Sequence, residues 1–136
     1  MSGKARWSQV WWVDLGLDEN KRFAVVSENG WNETFSTVIA VRLTTSPNRD
    51  PGPGFPLLRS KPPTIAVCGE VTTIHEDDLI EVADKLTLGE MRQIAIGLLE
   101  VTQAHRLIGI THPDIAERIG ERKRRLQRLR RRSEAV

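Results

Sequence analysis

The sequence predicts an α+β fold: a small β-barrel, then a C-terminal helix, then a basic helical tail. Five β-rich runs separated by turn residues fall between Val10 and Ile74, the density of short strands that closes into a small barrel. A capping pair then opens a stretch of helical period. The positive charge, finally, is concentrated behind that helix.

The run VWWVDL (Val10 to Leu15), followed by Gly16, reads as a first strand ending in a turn. Trp11 and Trp12 are neighbours in it, so they point to opposite faces, one toward the core and the other toward an interface or the surface. LDENKR is the connecting loop. FAVVS (Phe23 to Ser27) is the second strand, and the Asn29-Gly30 pair after it is a turn signal, which leaves Trp31 in a loop. TVIAVRLTT (Thr37 to Thr45) is a long β-branched strand interrupted only by Arg42.

SPNRDPGPGFP begins at Ser46. A segment so rich in proline and glycine holds neither a helix nor a central strand, and reads as a surface loop able to line a site. TIAVC and EVTTI lie on either side of Gly69, as two short strands or as one strand with a bulge or corner at the glycine.

The period changes after this. Thr87 with Glu90 is a capping-box pair, and Met91, Ile94, Ala95, Leu98, Val101 and Thr102 recur at helical spacing, which predicts a helix over about Leu88 to Leu107. Beyond Gly109 and Pro113, Ile115, Ile119, Leu126 and Leu129 share one face of a second, weakly amphipathic helix. The domain reading is a barrel unit over 1–110 and a basic helical tail over 111–136.

Charge divides along the same line. Residues 1–113 carry 11 basic and 14 acidic side chains, a net −3, whereas 114–136 carry 9 and 4, a net +5. A cationic segment fits contact with phosphate or an acidic surface, and equally a solvated face. With one cysteine, Cys68, and three scattered histidines, neither an internal disulfide nor a structural zinc site is expected. The expected chemistry therefore uses no metal and no cofactor. No run of eighteen apolar residues is present and the first twelve residues lack a secretory apolar region, so the expected location is the cytoplasm, away from membranes.

The succession WWVDLG, AVVS, VIAVRLTTS, AVCGEVTTI and then LTLGEM opening a helix resembles the MazF/PemK/Kid family of type II toxin–antitoxin toxins over about residues 8–108. Each motif alone is weak; five in the same order are specific. The resemblance implies an SH3-like barrel of the CcdB/MazF type and a homodimer whose groove binds single-stranded RNA. It also implies metal-independent, sequence-specific RNA cleavage, and a cognate antitoxin that occupies the groove. CcdB, a related barrel that poisons DNA gyrase without cutting nucleic acid, supplies the alternative: a catalytically silent RNA-binding or gyrase-poison-like protein.

Cleavage of this kind uses the 2′-hydroxyl as nucleophile on the adjacent phosphorus. The protein must supply a base, an acid for the leaving oxygen, and donors that stabilise added negative charge. In the resembling proteins an Arg-Pro pair opens the second strand; alignment on Ser27 puts Lys21 at the arginine and Arg22 at the proline. The two are joint catalytic candidates, with Arg22 favoured for its bidentate grip on phosphate. Thr44 matches a threonine that ends the third strand. Thr45, Ser46, Arg42 and Trp31 are the candidate RNA contacts, Trp31 as a stacking face for a base or, alternatively, as a packing residue.

The fourth strand departs from the pattern. Val67 and Gly69 stand where Kid-like members carry an arginine and an aspartate, and Thr72 where another arginine is usual. Glu70 is left as the ionisable group there, a candidate general base if burial raises its pKa. His75, in the acidic run HEDD, reads as a surface residue.

Overall fold

The computed structural model describes residues 4–16, 19–46 and 50–103, together with individual helical positions between 117 and 132. The chain runs β1 (Gln9–Val13), β2 (Lys21–Val25), α1 (Asn29–Thr34), β3 (Thr37–Thr44), β4 (Leu57–Ser60) and β5 (Pro63–His75). After a 3-10 turn at Glu76–Asp78 come β6 (Leu79–Lys85) and α2 (Leu88–Thr102). The strands form one antiparallel sheet in the order β4-β5-β3-β2-β1-β6. This is the expected α+β barrel architecture with its C-terminal helix.

Two strands were not legible beforehand. β4 and β6 are the two edges of the sheet, and both are exposed over most of their length, so neither carries the apolar signature that marks the central strands. The edges are nevertheless linked: Arg59 on β4 forms ion pairs with Asp84 on β6 and with Glu90 at the start of α2. A sheet whose first and last strands share one arginine has curled nearly to closure, which limits the edge exposure of an open sheet.

β5 is one bent strand. Arg42 of β3 pairs with Val67 and its neighbour Val41 with Val71, so residues 68–70 bulge from the ladder. Such a bulge bends the strand and increases its twist. It centres on Gly69, as expected.

The Asn29-Gly30 pair is helical rather than a hairpin turn, and Trp31 lies on α1 rather than in a loop. The reason is tertiary. Asn32 is buried; its amide nitrogen donates to the Ser27 carbonyl at 3.0 Å, and its carbonyl accepts from the Ser27 hydroxyl at 2.5 Å. The Ser27 hydroxyl in turn accepts from the Ile39 amide at 3.0 Å. These bonds fix a helical turn between β2 and β3, and a buried polar network of this kind outweighs a local turn preference.

Neighbouring residues of the central strands divide between two apolar clusters. Trp11, Val13, Phe23, Val25, Val38, Ala40, Ile74 and Leu79 form one, and Val10, Ala24, Val41, Leu43, Ala66 and Cys68 form the other with Leu86, Met91 and Ile94. Trp11 is thus the core tryptophan of the pair, and Trp12 is only half-buried. α2 packs so closely on β5 that a Cβ on Gly97 would lie 2.5 Å from the Cys68 sulfur.

The capping box at Thr87 and Glu90 is complete, with both reciprocal bonds made. α2 ends at Thr102, short of the expected Leu107, where Gln103 takes a left-handed conformation; residues 104–107 lie outside the described set. Within the Pro/Gly loop, Gly54 at φ +78 sits against Val101, and Pro56 is fully buried. This part of the loop is pinned to α2. Residues 47–49 and the boundary expected at residue 110 lie outside the described set. The described tail positions, among them Glu117, Glu121, Arg124 and Arg128, are helical and exposed. Among the described residues no helix is long and apolar enough to cross a membrane.

Candidate functional site

β2 begins at Lys21 and β3 ends at Thr44, and the pairing of Arg22 with Leu43 places these two termini side by side. Arg22 also pairs with Trp12 across β1. Successive side chains of a strand point to opposite faces. Arg22, Trp12 and Leu43 therefore share one side of the sheet, and Lys21, Arg42 and Thr44 the other. At the end of the strands the two sets meet around an open cleft of about 210 Å³, whose wall is completed by Asn20 and Thr45.

Three cations thus border one small cleft. The Arg22 guanidinium lies over the Trp12 ring, 5.7 Å from its centroid, a cation–π contact that holds the side chain while leaving its N–H fork open. Among the described residues Arg22 forms no ion pair. Lys21 pairs with Glu19 at 3.4 Å, where Glu19 is largely exposed. Arg42 donates to Glu70 at 3.0 Å, and its buried Nε has no hydrogen-bond partner among the described residues. The open N–H fork of Arg22 at this cleft suits an anion.

Of the sequence candidates, Lys21, Arg22, Arg42, Thr44 and Thr45 all line this cleft. The Thr44 hydroxyl oxygen accepts the Ser46 amide at 3.1 Å, so its proton remains available to donate; Ser46 itself does not line the cleft. Glu70 adjoins through Arg42. It sits on the β5 bulge with its side chain 45% exposed, so the burial envisaged for a base is absent.

Trp31 is not part of the cleft: its ring packs on Phe35 with centroids 4.3 Å apart. His75 is exposed and accepts the Asp77 amide at Nδ1, capping the 3-10 turn. Val67 is buried beside Arg42, its pairing partner on β3, so the position that carries an arginine in Kid-like members presents only an apolar side chain here.

Trp12 is the contributor that motif matching missed. The period-two alternation of VWWV indicated that one tryptophan leaves the core, but its partnership with Arg22 depends on the β1–β2 register, which no local signal specifies.

Electrostatics tie the cleft to the closure of the sheet. Burial pushes the Asp84 carboxyl upward, but the Lys85 amide, the Arg59 hydrogen bond, and the charges of Arg59 and Arg22 outweigh it and hold it below the ordinary value. The hydrogen bond that Arg59 donates to Asp84 in turn raises the Arg59 pKa against its desolvation, with Glu90 adding to the effect.

The chain is similar to an endoribonuclease solved in complex with its cognate antitoxin from a Mycobacterial species, at 29% identity and TM-score 0.62 over 70% of this chain and 91% of that one. A second Mycobacterial endoribonuclease matches at 25% identity and TM-score 0.64, over 73% and 91%. MazF in the MazE–MazF complex of Deinococcus radiodurans shares the fold, with TM-score 0.62 at 10% identity, over 72% and 94%. No curated protein matches the sequence. The family model for the PemK-like, MazF-like toxin of type II toxin–antitoxin systems matches residues 7–102, a span that holds every strand and α2, and the chain belongs to this family.

Proposed function

We propose that the chain is an endoribonuclease toxin that cuts single-stranded RNA at short sequences without a metal ion, and that Lys21, Arg22, Arg42, Thr44 and Glu70 carry the reaction. The observation behind this reading is the convergence of three cations and two threonines on one cleft at the β2 and β3 termini. The solved neighbours described as endoribonucleases support it.

The scissile phosphate enters the cleft with its non-bridging oxygens toward Arg22 and the Thr44 hydroxyl. The RNA 2′-oxygen attacks phosphorus while Glu70, a half-exposed carboxylate bonded to Arg42, takes the 2′ proton without the burial first expected of it. Arg22 and Arg42 stabilise the negative charge that builds on the pentacovalent phosphorus, where preformed donors contribute most. Lys21 gives a proton to the departing 5′-oxygen. The products are a 2′,3′-cyclic phosphate and a 5′-hydroxyl, with no water consumed and no electron transferred. Trp12 holds Arg22 in place.

The toxin works as a homodimer in the cytoplasm, and a cognate antitoxin occupies its RNA groove. The antitoxin-bound neighbour supports this partner.

Purified protein incubated with a long RNA in EDTA tests the reading. Discrete fragments with cyclic-phosphate ends are expected, and Arg22→Ala, Lys21→Ala and Thr44→Val should each slow their appearance. Full-rate cutting by all three variants would overturn the assignment. One observation favours a second reading, a silent RNA-binding or gyrase-poison-like barrel: buried Val67 and the bare Gly69 leave β5 without the Arg and Asp of Kid-like members. RNA that stays intact but shifts on a gel would support RNA binding; inhibition of gyrase would support the poison.

A further inference from the structure

The tail lies outside the matched span 7–102, and its described residues are all exposed. On a helix of 3.6 residues per turn, Arg124, Arg128 and Arg131 form a row, and Arg125 and Arg132 flank it within an arc of about 120°. The five side chains cover about 12 Å of helix. Glu117 and Glu121 lie on the same arc one to two turns earlier. Of the residues that sequence spacing assigns to the apolar face, Ile115, Ile119 and Leu126 lie opposite, with Lys123 and Arg130 beside them, while Leu129 borders the arc.

A nuclease must attract a polyanion, yet residues 1–113 carry a net −3. The local cations of the cleft therefore sit on a body of net negative charge. The tail, at +5, reverses the sign. Its residues 114–136 contain no aromatic side chain, only Leu and Ile among the large apolar types, whereas helices that lie in a membrane interface carry Trp, Phe or Leu on the apolar face, so binding to anionic vesicles is the competing outcome of the test below. Arginine without aromatic anchors fits phosphate contact along a nucleic-acid strand.

We infer that the arginine face of the tail helix is a second RNA-binding surface, sequence-independent and separate from the cleft, which captures the strand that the cleft then cuts. This rests on the nuclease reading only for its last clause; capture of RNA is testable without cleavage.

The full chain is compared with a variant carrying glutamine at the five positions Arg124, Arg125, Arg128, Arg131 and Arg132, a change that keeps helix propensity, and with a variant carrying lysine at all five. The probe is a labelled single-stranded 2′-O-methyl RNA, which lacks the nucleophile. The glutamine variant is expected to bind at least tenfold more weakly at low salt. Its log Kd against log salt slope should be shallower by about 1.5 or more, since each phosphate contact on a single strand contributes about 0.7. The lysine variant should retain the slope, which separates charge from folding. On long RNA the glutamine variant should show a raised KM and an unchanged kcat.

Equal slopes for the native and glutamine chains would overturn the inference, as would tail-dependent binding to phosphatidylglycerol vesicles without tail-dependent RNA binding, or glutamine substitution that alters only the oligomeric state. Tail-dependent binding by a chain that never cuts RNA would sink the nuclease reading and leave this inference standing. Cutting with tail-independent affinity would do the reverse.

Discussion

Arg59 and Arg22 are both strand arginines of the same barrel, and their surroundings commit them to different work. Arg59 bonds the Asp84 carboxylate on the far edge of the sheet and the Glu90 carboxylate that also caps α2. Its Nε and Nη1 are taken up by these carboxylates. Arg22 lies over Trp12 and among the described residues has no ion pair, so its donors face the cleft. A carboxylate partner converts an arginine into a structural clamp, whereas an aromatic partner fixes its position and leaves its hydrogen-bonding edge unspent. Arg42 stands between them, bonded to Glu70 on a half-exposed bulge with its Nε unpaired.

If the division holds, the two arginines respond oppositely to truncation. Arg22→Ala should reduce kcat for RNA cleavage by about 10² to 10³, the usual cost of removing one preorganised donor to a developing oxyanion. Its unfolding free energy should stay within about 0.5 kcal/mol of the native chain, as for a substitution outside the core. Single-turnover cleavage combined with urea unfolding measures both. A destabilised but fully active Arg22→Ala would break the comparison at its first step.

Arg59→Ala should do the converse. Glu90 is nearly buried and would lose one charged partner while keeping its capping bonds, and the link between the sheet edges would be cut. Because Arg59 and Asp84 are each more than a third exposed, solvent screening limits the loss to about 1–2 kcal/mol, or a fall in Tm on the order of 5–15 °C for a domain of this size. Cleavage well below the new Tm should be unchanged.

The sequence made legible what is periodic or short-range. The central strands alternate, Thr87 and Glu90 are three residues apart, and the cations flanking β2 and β3 fall within recognisable motifs, so Lys21, Arg22 and Thr44 could be named before their geometry was known. What escaped depends on contacts between distant segments. β4 and β6 are edge strands with mostly exposed side chains, and LIEVADK holds three charges among its seven residues. α1 overrides an Asn-Gly turn signal because Asn32 reaches back to Ser27 and, through it, to β3. Trp12 enters the site through register alone. Trp31, the tryptophan chosen for stacking, packs on Phe35. The missing Arg and Asp of β5 were readable as a departure from pattern, but the burial of Val67 beside Arg42 and the bulge that carries Glu70 rest on the pairing with β3.

Thr44→Val sharpens the comparison within the cleft, because it removes a neutral donor and keeps the shape. One hydrogen bond to a charged phosphate is worth about 1.5 kcal/mol, which predicts roughly tenfold slower cleavage. The effect should fall on kcat more than on KM if the bond strengthens as charge builds on phosphorus. An equal rise in KM alone would show that Thr44 only holds the ground state.

The smallest effect links the two arginines directly. Asp84 is held below its ordinary pKa in the folded chain, against its own burial, by the Lys85 amide, by Arg59 and in part by the Arg22 charge. A carboxylate with a depressed folded pKa contributes stability that is present above its unfolded pKa and lost as pH falls through the folded value. The increment should therefore be intact at neutral pH and disappear below roughly pH 4, where free aspartate begins to protonate. Screening at this exposed site keeps it to a few tenths of a kcal/mol. The slope of unfolding free energy against pH between about 5 and 3 should flatten in Arg59→Ala and, by a smaller amount, in Arg22→Ala. Lys21→Ala serves as the control, since Lys21 does not act on Asp84. If Arg22→Ala and Lys21→Ala gave identical slopes, the cleft and the closure would be electrostatically independent, and the contrast between the two arginines would be one of partners alone.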